Sequence, residues 1–69
     1  MTEEEEIHKL KMEGMGSMHD TPVKRKMEII DTLAAYGENG IPAIEAILNT
    51  AMSQTTIEYA TEVLKRLKQ

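Results

Sequence analysis

Apolar residues recur along this chain at helical spacing in four separate stretches, with polar and glycine-containing breaks between them. The clearest stretch puts Val23, Met27, Ile30, Leu33 and Ala34 on one face, with Ile29 and Tyr36 as a second flank. Thr21 can cap its first-turn N–H groups, and Pro22 at the first helical position leaves no N–H unpaired, so the spacing predicts a helix over 22–36. Gly37 can take the left-handed conformation that ends such a helix. After the short turn Glu38-Asn39-Gly40, Ile41-Pro42 opens a helix over 42–50. There Ile41, Ala43, Ile44, Ala46, Ile47 and Leu48 cover most of the circumference, so it must be covered on more than one side.

Two helices joined this tightly pack side by side, making 22–50 an antiparallel hairpin. Ala51-Met52-Ser53 is a break with Ser53 as a cap. A helix over 54–68 then puts Ile57, Ala60, Leu64 and Leu67 on one stripe, with Val63 beside it. The N-terminal stretch predicts a helix over 3–13, with acids in its first turn and a thin stripe of Ile7 and Leu10. Gly14-Met15-Gly16-Ser17 reads as a flexible joint. The expectation is an all-α, small four-helix domain built on helical hairpins: residues 1–19 an acidic helix and joint, residues 20–69 the hairpin domain. Ile30, Leu33, Ile44, Ile47, Leu48, Ile57, Leu64 and Leu67 should be its most buried side chains.

Helices two and four align at an offset of 34, with Val23 opposite Ile57, Glu28 opposite Glu62, Ile29 opposite Val63, Ile30 opposite Leu64 and Leu33 opposite Leu67. A fixed period of this size is the mark of helical solenoids. On Asp20, Pro22, Val23, Leu33, Gly37, Ile41, Pro42, Ile44 and Leu48 the chain resembles HEAT-like repeats of the phycobilisome-lyase type. Those repeats have an acidic-Pro turn, a helix ending in Leu-x-x-x-Gly, and Ile/Val-Pro leading into an apolar helix. The likeness covers 20–50, with 53–68 as a following half-repeat. It departs at Ala51-Met52-Ser53, which lacks the usual Asp-Pro, and at Lys26 and Met27, where small residues are common. The resemblance implies a scaffold for protein contacts.

Residues 46–57 also look like the helix-turn-helix of bacterial and archaeal regulators, in which Ser-Gln-x-Thr-Ile/Val opens the recognition helix. That likeness implies DNA contacts from Gln54, Thr55, Tyr59 and Arg66, with Glu58 beside them in the major groove. Glu58 and Glu62 would then meet a phosphate-lined groove, and the glycine expected near Ala51 is absent.

Composition narrows the field. Sixty-nine residues make one small domain at most. Without Cys, Phe or Trp, its core must be Ile, Leu, Val, Met and Ala, and neither disulfides nor thiolate metal sites can staple it. The net charge of −4 is an N-terminal property: residues 1–20 carry six acids and two bases, residues 21–69 six of each. That balance argues against nucleic acid as a partner. No apolar run is long enough for a membrane span and no signal-peptide pattern opens the chain, so a soluble cytoplasmic protein is expected.

Candidate chemistry is thin. His8 lies four residues from both Glu4 and Met12, but His19 falls past the glycine joint, so no metal is expected. The serines and threonines have no nearby base, and Gly14-x-Gly16 lacks the lysine and hydroxyl of a phosphate loop. The expectation is a non-enzymatic, cofactor-free interaction module. Lys24-Arg25-Lys26 should face solvent. Helix three is apolar nearly all round with few helices to cover it. Ile7, Leu10, Met15, Met18, Ile29, Tyr36 and Val63 are therefore expected to form a partner-binding surface, closed by a homo-oligomer or a larger assembly.

Overall fold

A computed structural model describes residues 2–17 and 19–69. It is all-helical: α1 (Glu3–Gly14), α2 (Val23–Ala34), a 3₁₀ turn (Gly37–Gly40), α3 (Ile41–Thr50) and α4 (Gln54–Leu67). α2 and α3 occupy the middle, and α1 and α4 each pack across both of them. The Cα envelope measures 29 × 28 × 17 Å. Its thin dimension is about that of two packed helices, given interaxial distances of roughly 8–10 Å.

Local chemistry explains most boundaries. Thr2 caps α1 by accepting the Glu5 N–H on its hydroxyl at 3.1 Å, and the four first-turn glutamates complement the helix dipole. Gly37 has a φ of 64°, the left-handed backbone that a side chain resists, and it turns the chain from α2 toward α3. Pro42 sits in the first turn of α3, where its missing N–H costs nothing. Neither Pro22 before α2 nor Ser53 before α4 makes a side-chain capping bond.

One core unites the four helices: Leu10 of α1, Ile29, Ile30 and Leu33 of α2, Ala43, Ile44 and Ile47 of α3, and Ala60, Val63 and Leu64 of α4. Ile29 and Ile30 are both fully buried because α2 is gripped from two sides, by α1 and by α4. The expectation that Leu10, Ile29 and Val63 are surplus surface is thereby corrected, since all three are interior. Leu48, Ile57 and Leu67, expected at the centre, are only half-buried on outer flanks. Burial nonetheless repeats at the offset of 34: Lys26 matches Ala60, Ile29 matches Val63 and Ile30 matches Leu64 as buried positions, while Glu28 and Glu62 are both exposed.

Hydrogen bonds from Thr21 and Lys26 tie the described residues between α1 and α2 to the end of α1. The buried Lys26 side chain, expected in solvent, reaches back so that its Nζ donates to the carbonyls of Gly14, at 3.1 Å, and Gly16. Thr21 does not cap α2; its hydroxyl donates to the Glu13 carbonyl at 2.9 Å. The Glu13 and Gly14 carbonyls that end α1 thus find donors in α2 and the turn before it. Arg25 adds a bidentate clamp, donating from Nε and Nη2 to the two Glu13 carboxylate oxygens at 2.7 and 3.0 Å. At Gly14 a Cβ would fall 2.5 Å from Ile47 Cδ1, so only glycine lets α1 come this close to α3.

Candidate functional site

A cleft of about 340 Å³ lies between α1 and the start of α3. One face of α1 supplies Glu3, Glu4, Ile7, His8 and Lys11, which fall within about a third of the helix circumference. Asn39 of the 3₁₀ turn and Pro42 and Ala43 of α3 form the opposite wall. Ile7, Pro42 and Ala43 make an apolar floor. The rim is charged, with carboxylates toward the α1 N-terminus and the Lys11 ammonium two turns along. The Asn39 amide donates to Glu3 across the cleft at 3.4 Å, the one polar tie between its walls among the described residues.

This arrangement can hold a side chain or a helix edge. Among the described residues no group of three His, Cys, Asp or Glu side chains is placed to hold a metal ion. Of the residues named from sequence, Ile7 lines the cleft, and Met15 and Tyr36 are half-buried against the core. Leu10, Ile29 and Val63 are interior and offer no free surface, and Met18 lies outside the described residues. Among the described residues the large apolar side chains that stand out are Met12, 55% exposed on α1, and Met52, 86% exposed between α3 and α4. The cleft residues Glu3, Glu4, Lys11, Asn39, Pro42 and Ala43 were not legible as a site. The spacing of Glu4, His8 and Lys11 on one face was visible, but nothing in the sequence marks which wall that face meets.

The outer face of α4 brings together Gln54, Thr55 and Arg66, all exposed, with Tyr59 half-buried beside them. Glu58 and Glu62 share that face. Gln54 donates to Glu58 at 3.2 Å, and the Tyr59 hydroxyl donates to the Asp31 carboxylate on α2. That bond, followed by burial, holds the Tyr59 phenol above its usual pKa. Lys68 is paired with Glu45 at 2.8 Å. On the opposite flank the Arg25 hydrogen bonds hold the Glu13 carboxyl below the usual glutamate range and raise the Arg25 guanidinium in return. The Tyr59–Asp31, Lys68–Glu45 and Arg25–Glu13 contacts brace helices against each other at the surface.

No helix among the described residues is long and apolar enough to cross a membrane. Compared with models of known families, with characterised proteins and with solved structures, the chain finds no match.

Proposed function

We propose that this chain is a non-enzymatic protein-interaction module with HEAT-like layering, working through the face that α1 and α3 present together. The supporting observation is the layout of contacts: α1 and α4 each pack on both α2 and α3 but not comparably on each other, and Lys26–Ala60, Ile29–Val63 and Ile30–Leu64 repeat burial at an offset of 34 between α2 and α4. In a solenoid each unit contacts only its neighbours, and side-by-side helices of one layer create the binding surface. The α1–α3 cleft, with its apolar floor and charged rim, is such a surface. The cysteine-free sequence suits a reducing compartment, and a cytoplasmic setting goes with this reading.

The test is site-specific cross-linking in cells. A photoreactive residue replacing His8, at the cleft, should yield protein adducts, whereas the same group replacing Glu62, on the outer face of α4, should not. Adducts from position 62 alone, or from neither, would end the proposal.

A second reading rests on the three-residue turn that joins α3 to α4 and leaves Gln54, Thr55 and Arg66 exposed. It is a helix-turn-helix DNA contact made by α4. Glu58 and Glu62 lie among those residues and would repel phosphates, which favours the interaction module. Duplex DNA titrated at low salt decides between them. Saturable binding that weakens with salt and on Gln54→Ala or Arg66→Ala would favour the regulator.

A further inference from the structure

We infer that the occupant of the α1–α3 cleft is the α1 helix of a second copy of this chain, docked antiparallel across a two-fold axis. The inference rests on the interaction reading above and names its partner. Glu4 and Lys11 both line the cleft, on the same face of α1. Seven residues separate them, two turns less about 20°, so their backbones stand about 10.5 Å apart along the axis. That is too far for them to pair with each other. Among the described residues neither is engaged in a salt bridge, since those present join Arg25 to Glu13 and Glu28, and Lys68 to Glu45.

A surface that is negative at one end and positive at the other is self-complementary when a copy is laid on it in reverse. A two-fold axis between Ile7 and His8 sets each Glu4 opposite the other copy's Lys11, and each Ile7 opposite the other copy's His8. Every contact then occurs twice, as an isologous interface requires. Ile7 and the Pro42–Ala43 wall give it an apolar centre. Antiparallel α1 helices also set opposite dipole ends side by side. A parallel arrangement would put Glu4 on Glu4 and Lys11 on Lys11. Charge therefore selects the orientation and discriminates against the alternative.

One helix face per copy is a small interface, below the roughly 1,200 Å² at which specific complexes become standard in size, so the dimer should be weak and reversible. Sedimentation equilibrium on the full chain, from about 10 µM to about 1 mM at low salt, should show the mass rising from 7.8 kDa toward twice that value. Glu4→Lys and Lys11→Glu each convert two attractive pairs into two repulsive ones, and each should weaken association about tenfold or more. An equimolar mixture of the two variants should recover wild-type association, because every pair across a mixed dimer is again opposite in sign. Circular dichroism establishes that the variants are folded. Should Glu4→Lys lose helix content, Lys11→Glu and Lys11→Arg decide the matter, the first weakening association and the second preserving it. A wild-type chain that stays monomeric throughout overturns the inference, as do single variants that associate like wild type or a mixture that fails to recover. Cross-links from position 8 to a different protein, with a monomeric chain, would overturn this inference and leave the interaction module standing.

Discussion

Replacing Thr56 with Val should make the protein more stable. Thr56 is fully buried in the first turn of α4, and its hydroxyl finds no hydrogen-bond partner among the described residues. Other threonines show why. Thr32 and Thr61 donate to the carbonyl four residues back, Glu28 at 3.0 Å and Ile57 at 2.7 Å, and Thr50 to Ala46 and Ile47. For Thr56 the residue four back is Met52, which lies in the connector before α4, so the helix offers no such acceptor. A sealed, unpaired hydroxyl costs about 1–3 kcal/mol. Val has nearly the same shape and puts a methyl where the hydroxyl was, so the substitution relieves that cost without leaving a cavity. We expect a gain of about 1–2 kcal/mol. In a domain of this size each kcal/mol moves the melting temperature by about 4–8 °C. Urea unfolding followed by circular dichroism is the assay, with the midpoint rising and the slope unchanged. Thr56→Ser, which keeps the hydroxyl and deletes the methyl, should destabilise. If Thr56→Val is neutral or destabilising, the hydroxyl has a partner and the placement of the α4 N-terminus against the core is wrong.

Three further outcomes follow from the α1 contacts. Gly14→Ala should cost about 1–3 kcal/mol by overpacking against Ile47. Adding Ile47→Val, which removes the obstructing Cδ1 atom, should cost less than the sum of the two single changes by at least about 0.5 kcal/mol in denaturant unfolding. Lys26→Met keeps the aliphatic stem but removes the ammonium from the Gly14 and Gly16 carbonyls, so it should destabilise by about 1–3 kcal/mol, with faster hydrogen exchange in α1 than in α4. The Glu13 carboxyl, depressed by its hydrogen bonds to Arg25, should titrate by NMR below the usual glutamate value and rise toward that value in Arg25→Gln. Because its folded pKa is lowered, its contribution is present above the unfolded carboxylate pKa and is lost as pH falls through the folded value.

The helices were legible in the sequence because their apolar spacing, the Gly37 stop and the Pro42 start are local signals, and all four appear within a few residues of the expected bounds. Which apolar face points inward was less legible. Ile29 and Val63 sit beside the main stripe of their helices and looked like surplus until the neighbours on each side were known. Lys26 could not be placed at all from its own surroundings. Only once α1 folds back does its ammonium meet carbonyls at the end of that helix, and a Lys-Arg-Lys run otherwise reads as solvated. Thr2 is a different case: Thr-x-x-Glu ahead of a helix is a capping signature, and a reading built on apolar spacing passed over it. The cleft was illegible because the residues of its two walls lie 28 to 40 positions apart, and the close approach of α1 to α3 at Gly14 is what brings them together.

The order of contacts along the chain bears on how this protein comes apart. Every substantial helix contact joins elements that are next to each other or next but one in sequence, and α1 and α4 make no comparable contact. Little chain must be closed into loops before such contacts form, which is the topology of fast folders. It also means that either terminal helix can peel away while the other three stay assembled. Opening free energies should therefore rise from both ends toward α2 and α3, whose amides would be the slowest to exchange with deuterium. A binding event at α1 would draw on the cheaper end of that gradient, so a partner could lift the first helix without melting the whole.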